Sequence, residues 1–350
     1  VVEWSDGNNG KTVQERQKIF TKAESVLYLW IFLIIVGLVL LVKGADFFVD
    51  GAAGIAGKCR ISPLVIGLTV VAFGTSMPEL AVSVTSAATG STDLSIGNVV
   101  GSNIANILLI LGVSALICKL PVRRASLVLD IPVLLLASVL LIGLGIWGSA
   151  LSWWDGLIFL AVFVVYMFIL LRGARKDPQP VEAEKPPVSR LGIWYAQKKT
   201  RIWFLIVLTI VGLGMVVGGG TLLVEGAKYV ARKAGMSERV IGLTVVAVGT
   251  SLPELVTSAV AAAKKQTDIA VGNIIGSNIF NILFIAGISS LVAPLEFRLT
   301  DNLIDALVAL AAALLLYWLA MFDKHRLGRV AGIVFLLGYA AYYVYLFLPA

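Results

Sequence analysis

Residue n of this chain reappears at residue n+175. Laid on each other without a gap, 61–112 and 236–287 agree at 31 of 52 positions. The shared segments include VIGLTVVA-GTS-PEL (65–80 and 240–255) and GN--GSNI-NIL (97–108 and 272–283). A repeat this close means that the chain folds as two copies of one unit, so each element comes with a mate.

The solvent of these copies follows from composition. Hydrophobic residues make up 59% of the chain, charged residues 14%, and the mean hydropathy is +0.94, which a soluble domain with a polar surface does not reach. A bilayer core takes about 20 apolar residues per helix, and ten such stretches occur: 26–57, 62–89, 93–117, 125–147, 152–172, 201–234, 239–263, 268–292, 302–321 and 327–348. The expected fold is an all-α membrane protein of ten transmembrane helices. Five spans per copy is an odd number, so the second copy enters the membrane from the opposite face, and the two five-helix repeats are inverted. The expected organisation is a polar N-terminal tail over 1–25, a first repeat over 26–172, a cytoplasmic linker over 173–200 rich in Pro, Lys and Glu, and a second repeat over 201–350. The first and sixth stretches are over-long and pick up Lys43, Asp46 and Asp50, and Glu225 and Lys228, at one end, as tilted helices reaching an interface would.

The net charge of +7 does not indicate nucleic acid, because the basic residues lie where a membrane protein puts them. With the N-terminus outside, the cytoplasmic connections hold eighteen basic residues, among them Lys58, Arg60, Lys119, Arg123, Arg124, Lys264, Lys265, Lys324, Arg326 and Arg329. The outer connections hold only Arg232, Lys233, Arg239 and Arg298. The positive-inside rule then places both termini outside. Cys59 and Cys118 fall on the reducing side and His325 is the only histidine, so thiolate zinc sites and HExxH metalloproteases are excluded. No nucleophilic triad or P-loop is present, and no enzyme is expected.

The chemistry concentrates in one hairpin of each copy. Glu79 and Asn106 are 27 residues apart, with the polar turn Thr92-Asp93 at their midpoint; Glu254, Asn281 and Thr267-Asp268 repeat the arrangement. If both arms are helical, each side chain lies roughly 20 Å from its hairpin tip, near the middle of the bilayer. The second hairpin enters from the other face, so both carboxylates converge on one centre. An uncompensated carboxylate there costs about 2.5–3.5 kcal/mol, which a cation must answer.

The segments Gly74-Thr75-Ser76-Met77-Pro78-Glu79 and Gly249-Thr250-Ser251-Leu252-Pro253-Glu254 put Pro and Gly inside a spanning helix. Proline lacks the amide donor and frees backbone oxygens near Ala72 and Thr75, or Ala247 and Thr250. Carbonyls, hydroxyls, two carboxylates and two amide oxygens form an all-oxygen cage, the ligand set of Ca2+, Na+ or Mg2+, and the reluctance of Mg2+ to shed water favours the first two. Empty, the cage carries about −2 and is costly to occlude; loaded, it is neutral. Only loaded sites then switch sides, which is obligatory antiport. Gly101, Ser102, Gly276 and Ser277 of GSNI also suit close helix packing. Asp93 and Asp268 are explained as caps of the following helices, and Asp50 and Glu225 as interfacial acids.

The paired GTS-PE and GN--GSNI-N segments in two inverted halves resemble the alpha-repeats of the cation/Ca2+ exchanger superfamily, and among its members the prokaryotic Na+/Ca2+ exchangers. The resemblance covers nearly the whole chain from residue 26. It implies broken second, third, seventh and eighth helices around four cation sites, with the long first and sixth helices sliding to alternate access. It also implies residue roles. Glu79 and Glu254 bind both ions, Thr75 and Thr250 join through carbonyl and hydroxyl, Ser76, Ser251, Ser102 and Ser277 bind Na+, Ala72 and Ala247 offer carbonyls, and Asn106 and Asn281 complete the centre. Some relatives, K+-dependent ones included, carry Asp where this chain has Asn281, which argues against K+ co-transport.

The expected function is electrogenic, K+-independent exchange of Ca2+ for Na+ by a monomer in the plasma membrane, with no cofactor and no partner beyond the ions and the lipid bilayer. A Ca2+/H+ antiporter is the nearest alternative, since two protons also neutralise two carboxylates, and a passive cation channel is a further one.

Overall fold

The computed structural model describes residues 13–174, 201–236, 247–300, 302–322 and 325–347. The polar segment before residue 13, the linker from residue 175 to 200 and the expected span up to residue 246 lie outside the described residues.

The spanning helices are α1 (Val13–Cys59), a bent pair α2 (Pro63–Thr75) and α3 (Met77–Ala88), α4 (Thr92–Ile117), α5 (Ser126–Gly148), α6 (Trp153–Ala174) and α7 (Ile202–Lys233). They are followed by α8 (Ala247–Thr250), α9 (Leu252–Ala263), α10 (Thr267–Val292), α11 (Asn302–Phe322) and α12 (Arg329–Phe347). Among the described residues, eight helices are long and apolar enough to cross a membrane, or nine when α2 and α3 count as one span. The expected span 239–263 is described only from Ala247, as α8 and α9. Helix α1 begins at Val13, inside the segment expected to be a polar lead-in.

The apolar part of α1, Val26–Cys59, has 34 residues and α7 has 32. At 1.5 Å per residue these are about 50 Å long, more than a core of roughly 30 Å, so both must tilt. They pack on each other through glycines spaced by seven: Gly37, Gly44 and Gly51 on α1, and their repeat mates Gly212, Gly219 and Gly226 on α7. A Cβ at Gly212 would lie 2.5 Å from Phe48 N, and one at Gly219 would lie 2.6 Å from Gly37 O. Backbone meets backbone, which only glycine permits, and a seven-residue period keeps one face of each helix on the seam.

Helices α4 and α10 form the centre: residues 269–283 of α10 are all buried, whereas α1, α6 and α12 turn most of their surface outward. Burial there answers the polar content of the GSNI segments, since an amide facing lipid would lose its hydrogen bonds. At Gly272 and Gly276 the backbone of α10 nearly touches α2; a Cβ at Gly276 would come within 2.8 Å of Leu68 O and of Ala72 Cβ. For this member of the GSNI pair, close packing accounts for the glycine.

Two short antiparallel ladders tie the halves together. Leu120–Pro121 (β1) pairs with Arg326–Leu327 (β4), and Ala150–Leu151 (β2) pairs with Leu295–Glu296 (β3). Shifting β1 by 175 residues gives β3, so each copy lends one strand to the other.

The third and eighth spans differ from the broken helices that the resemblance implied. Helices α4 and α10 run unbroken, with one widened π-helical turn at Ala105–Leu111 and at Phe280–Ala286. Inserting one residue into a helical turn shifts the face presented afterwards without exposing backbone to lipid. Asp93 and Asp268 are not the capping residues. The residues at the cap positions are Ser91 and Gln266, and neither makes a side-chain cap bond. Asp268 instead accepts two 2.9 Å bonds from Arg123 Nε, and its mate Asp93 lies 3.9 Å from Arg298.

Candidate functional site

The helix break is local. Ser76 sits at φ −85°, ψ 8° and Ser251 at φ −87°, ψ 5°, outside helical geometry, and α2 and α3 meet at 48°. Pro78 and Pro253 fall in the first turn of the following helix, where the missing amide has no helical partner to lose. Proline thus starts a second helix here. Glu79 and Glu254 lie in the first turns of α3 and α9, at the positive ends of those helices, which favours a carboxylate deep in the fold.

The two carboxylates come from opposite repeats, are each 1% exposed, and stand close enough to interact as charges. Ser76 Oγ donates to Glu254 Oε1 at 2.9 Å, crossing from one repeat to the other. Ser251 faces Glu79 in the mirrored arrangement, although its Oγ has no hydrogen bond of acceptable geometry. Thr75, fully buried beside Glu254, donates to Asn273 Oδ1 at 3.1 Å, while Thr250 is only partly buried. The π-helical turn bearing Asn106 packs on α9, and the turn bearing Asn281 packs on α3, each against a helix of the other copy.

The remaining expected residues are arranged less directly. Ala72 O accepts the amide of Ser76 at 3.0 Å and the Thr75 hydroxyl at 3.4 Å. Ala247 begins α8. Ser102 and Ser277 are buried in α4 and α10, with no hydrogen bond to either carboxylate.

The decisive geometry is what these atoms lack. Glu79 Oε2, Glu254 Oε2, Asn106 Oδ1, Asn281 Oδ1, Ser251 Oγ and Ser277 Oγ are all buried without a hydrogen-bond partner. A buried polar atom without a partner costs about 1–3 kcal/mol, more for a charge, and oxygens of these kinds are the ligand type that hard cations take. Among the described residues no group of three or more His, Cys, Asp or Glu is placed to hold a metal ion. The six oxygens named above are two carboxylate and four neutral ones.

A further group of asparagines fastens the helices without a role foreseen from sequence. Asn98 Nδ2 donates to Glu79 O at 3.1 Å and to Ser83 Oγ at 2.9 Å, and its mate Asn273 donates to Ser258 Oγ at 2.9 Å, so each hairpin is fastened across its two arms. Asn103 bridges the repeats, donating to Asn278 O at 3.3 Å and accepting from Asn281 Nδ2 at 3.1 Å. Their signal was available: amides repeated in apolar helices need partners. Asp50, expected as an interfacial acid, is 12% exposed and pairs with Lys264 at the tip of the second hairpin, where Asp46 also binds the ammonium at 2.6 Å. Burial lowers the Lys264 pKa, but the hydrogen bonds and charges of Asp46 and Asp50 more than offset it, leaving it above the ordinary lysine range. Glu225 is the more exposed acid and pairs within its own helix with Lys228.

Comparison with known proteins places this architecture. Residues 29–172 and 204–348 match the sodium/calcium exchanger protein family. The sodium/calcium exchanger MaX1 of Methanosarcina acetivorans is 34% identical over 349 residues, covering 90% of this chain and 97% of its own. The inner membrane protein YrbG of Escherichia coli is 36% identical over 323 residues, covering 90% and 96%. A solved structure of the sodium-calcium exchanger NCX_Mj superimposes with a TM-score of 0.78 at 35% identity, covering 91% of this chain and 99% of that one. Two matched halves, each carrying one buried glutamate, are thus seen together with this likeness over nearly the whole length. The chain belongs to the sodium/calcium exchanger family of membrane antiporters, which move ions rather than catalyse a reaction.

Proposed function

We propose that this protein exchanges Ca2+ for Na+ across the plasma membrane by alternating access, with Glu79 and Glu254 as the carboxylates both ions share. The observation that carries the reading is the pair of buried Glu Oε2 atoms from opposite repeats, neither with a partner. Thr75, Thr250, Ser76, Ser251, Asn106 and Asn281 line the centre around them, with Ser102, Ser277 and the carbonyls of Ala72 and Ala247 as outer ligands. The names of MaX1 and NCX_Mj support Na+ as the coupling ion. The exchange is electrogenic and K+-independent, the latter because both central amides are Asn, leaving two carboxylates rather than three. The transporter works as a monomer with both termini outside, and the name of YrbG supports an inner membrane location.

Alternating access is supported by the unequal closure of the two ends. Arg123 and Lys264 clamp Asp268, Asp46 and Asp50 at one end. At the other, the mate pair Arg298–Asp93 is 3.9 Å long, and the mates of Lys264 and Asp46 are Thr89 and Thr221.

Reconstituted vesicles test the coupling. Ca2+ uptake that requires an outward Na+ gradient, persists without K+ and responds to an imposed membrane potential supports the proposal. Uptake driven by a pH gradient at equal Na+ assigns H+ coupling instead, and uptake without either gradient means a channel.

A further inference from the structure

At the end of the molecule where β1 meets β4, a crevice of about 750 Å3 opens between the ends of α4 and α11 and the start of α12. Lys119, Arg326 and Arg329 line it, all three exposed, and none forms an ion pair or hydrogen bond with another described side chain. Arg329, Val330 and Ala331 also border it. They belong to the first turn of α12, whose helical bonding starts with Gly332 N donating to Gly328 O, so their amides lack acceptors within the helix. Cations and free helix amides together make an anion site. The remaining wall is apolar: Phe322 is 70% exposed and Val330 76%, with Leu319 behind them.

The geometry points to a binding site for an anionic phospholipid, with its phosphate on Lys119, Arg326, Arg329 and the α12 N-terminus and its acyl chain along Phe322 and Val330. Charge and place select this occupant. Three clustered cations favour a headgroup with net negative charge over a zwitterion, and basic pockets between the ends of spanning helices are where acidic headgroups bind. A free phosphate would leave the apolar wall uncovered. The site joins α4, whose π-helical turn carries Asn106, to α11 and α12 of the other repeat, so an occupant would brace the scaffold outside the ion cage.

Cys118 lies in the crevice and Cys59 is the only other cysteine, so a Cys59→Ser chain reports on the site through maleimide labelling of Cys118. In phosphatidylcholine nanodiscs, added phosphatidylglycerol is expected to slow that labelling, while millimolar inorganic phosphate leaves it unchanged. Each cation contributes about fivefold to the affinity for an acidic membrane surface, so K119Q/R326Q/R329Q requires about a hundredfold more phosphatidylglycerol for equal protection. The equal-charge control K58Q/R60Q/R124Q keeps wild-type protection. Equal labelling with and without phosphatidylglycerol in the wild-type site overturns the proposal, whether or not the triple variant folds. Protection by inorganic phosphate alone, or protection lost equally in the control, also overturns it.

Discussion

Replacing Glu254 by Gln removes a charge while keeping shape, and Gln Oε1 can still accept the Ser76 hydroxyl now held at 2.9 Å. In the ion-free protein the carboxylate is 1% exposed, faces a second acid, and has one oxygen without a partner. Even on the lenient insertion scale, a charge at this depth costs about 2.5–3.5 kcal/mol. Losing it should therefore raise ion-free stability by that order, and at about 2 °C per kcal/mol for a chain of this size the melting temperature rises by roughly 5 °C. Ca2+ cancels most of this difference. At a hundredfold excess over its dissociation constant a ligand stabilises by about 2.7 kcal/mol, a gain that wild type shows and Glu254→Gln loses together with transport. The assay is thermal unfolding of detergent-purified protein at alkaline pH, with chelator or with Ca2+. A Glu254→Gln chain that melts below wild type in chelator, or that keeps the full Ca2+ shift, refutes the reasoning that this carboxylate is held at a cost for the cation.

Gly212→Val should splay α1 from α7 and cost at least the 1–3 kcal/mol typical of overpacking, because the contact at 2.5 Å is with backbone that cannot move aside; melting temperature and Ca2+ uptake should fall together. Lys264→Gln strands the acids of α1 and should cost about 1–2 kcal/mol, between exposed and buried pairs, with Asp50→Asn recovering part of it in a double-mutant cycle. Since the folded pKa of Lys264 is raised, its contribution is complete below the ordinary lysine pKa and is lost as pH rises through the folded value. A pH series of melting temperatures should show the wild-type advantage over Lys264→Gln disappear only at the alkaline end. Tyr166→Phe removes the 3.1 Å bond to buried Asp130 and should lower stability by about 1–3 kcal/mol, read by thermal unfolding, while Ca2+ uptake in vesicles is retained.

The chain's hydropathy made the membrane class legible and brought the expected spans close to the observed ones: 125–147 is Ser126–Gly148, and 201–234 is Ile202–Lys233. Hydropathy is a local property, and lipid leaves helices little alternative. The 175-residue repeat likewise singled out Glu79 and Glu254, because an acid in an apolar setting written twice is hard to explain by packing. Which groups meet across the repeats was not legible. That Ser76 serves Glu254 rather than its neighbour Glu79, that Asp268 answers Arg123 from 145 residues away, and that Asn103 joins the two halves depend on how helices cross. The π-helical turns at Asn106 and Asn281 were hidden for the same reason: each packs on a helix of the other copy. Sequence alone determined that two acids enter an apolar chain at matched depth. Only tertiary structure decided which hydroxyls and amides surround them, because pairing between distant segments is set by interhelical distances that no local pattern encodes.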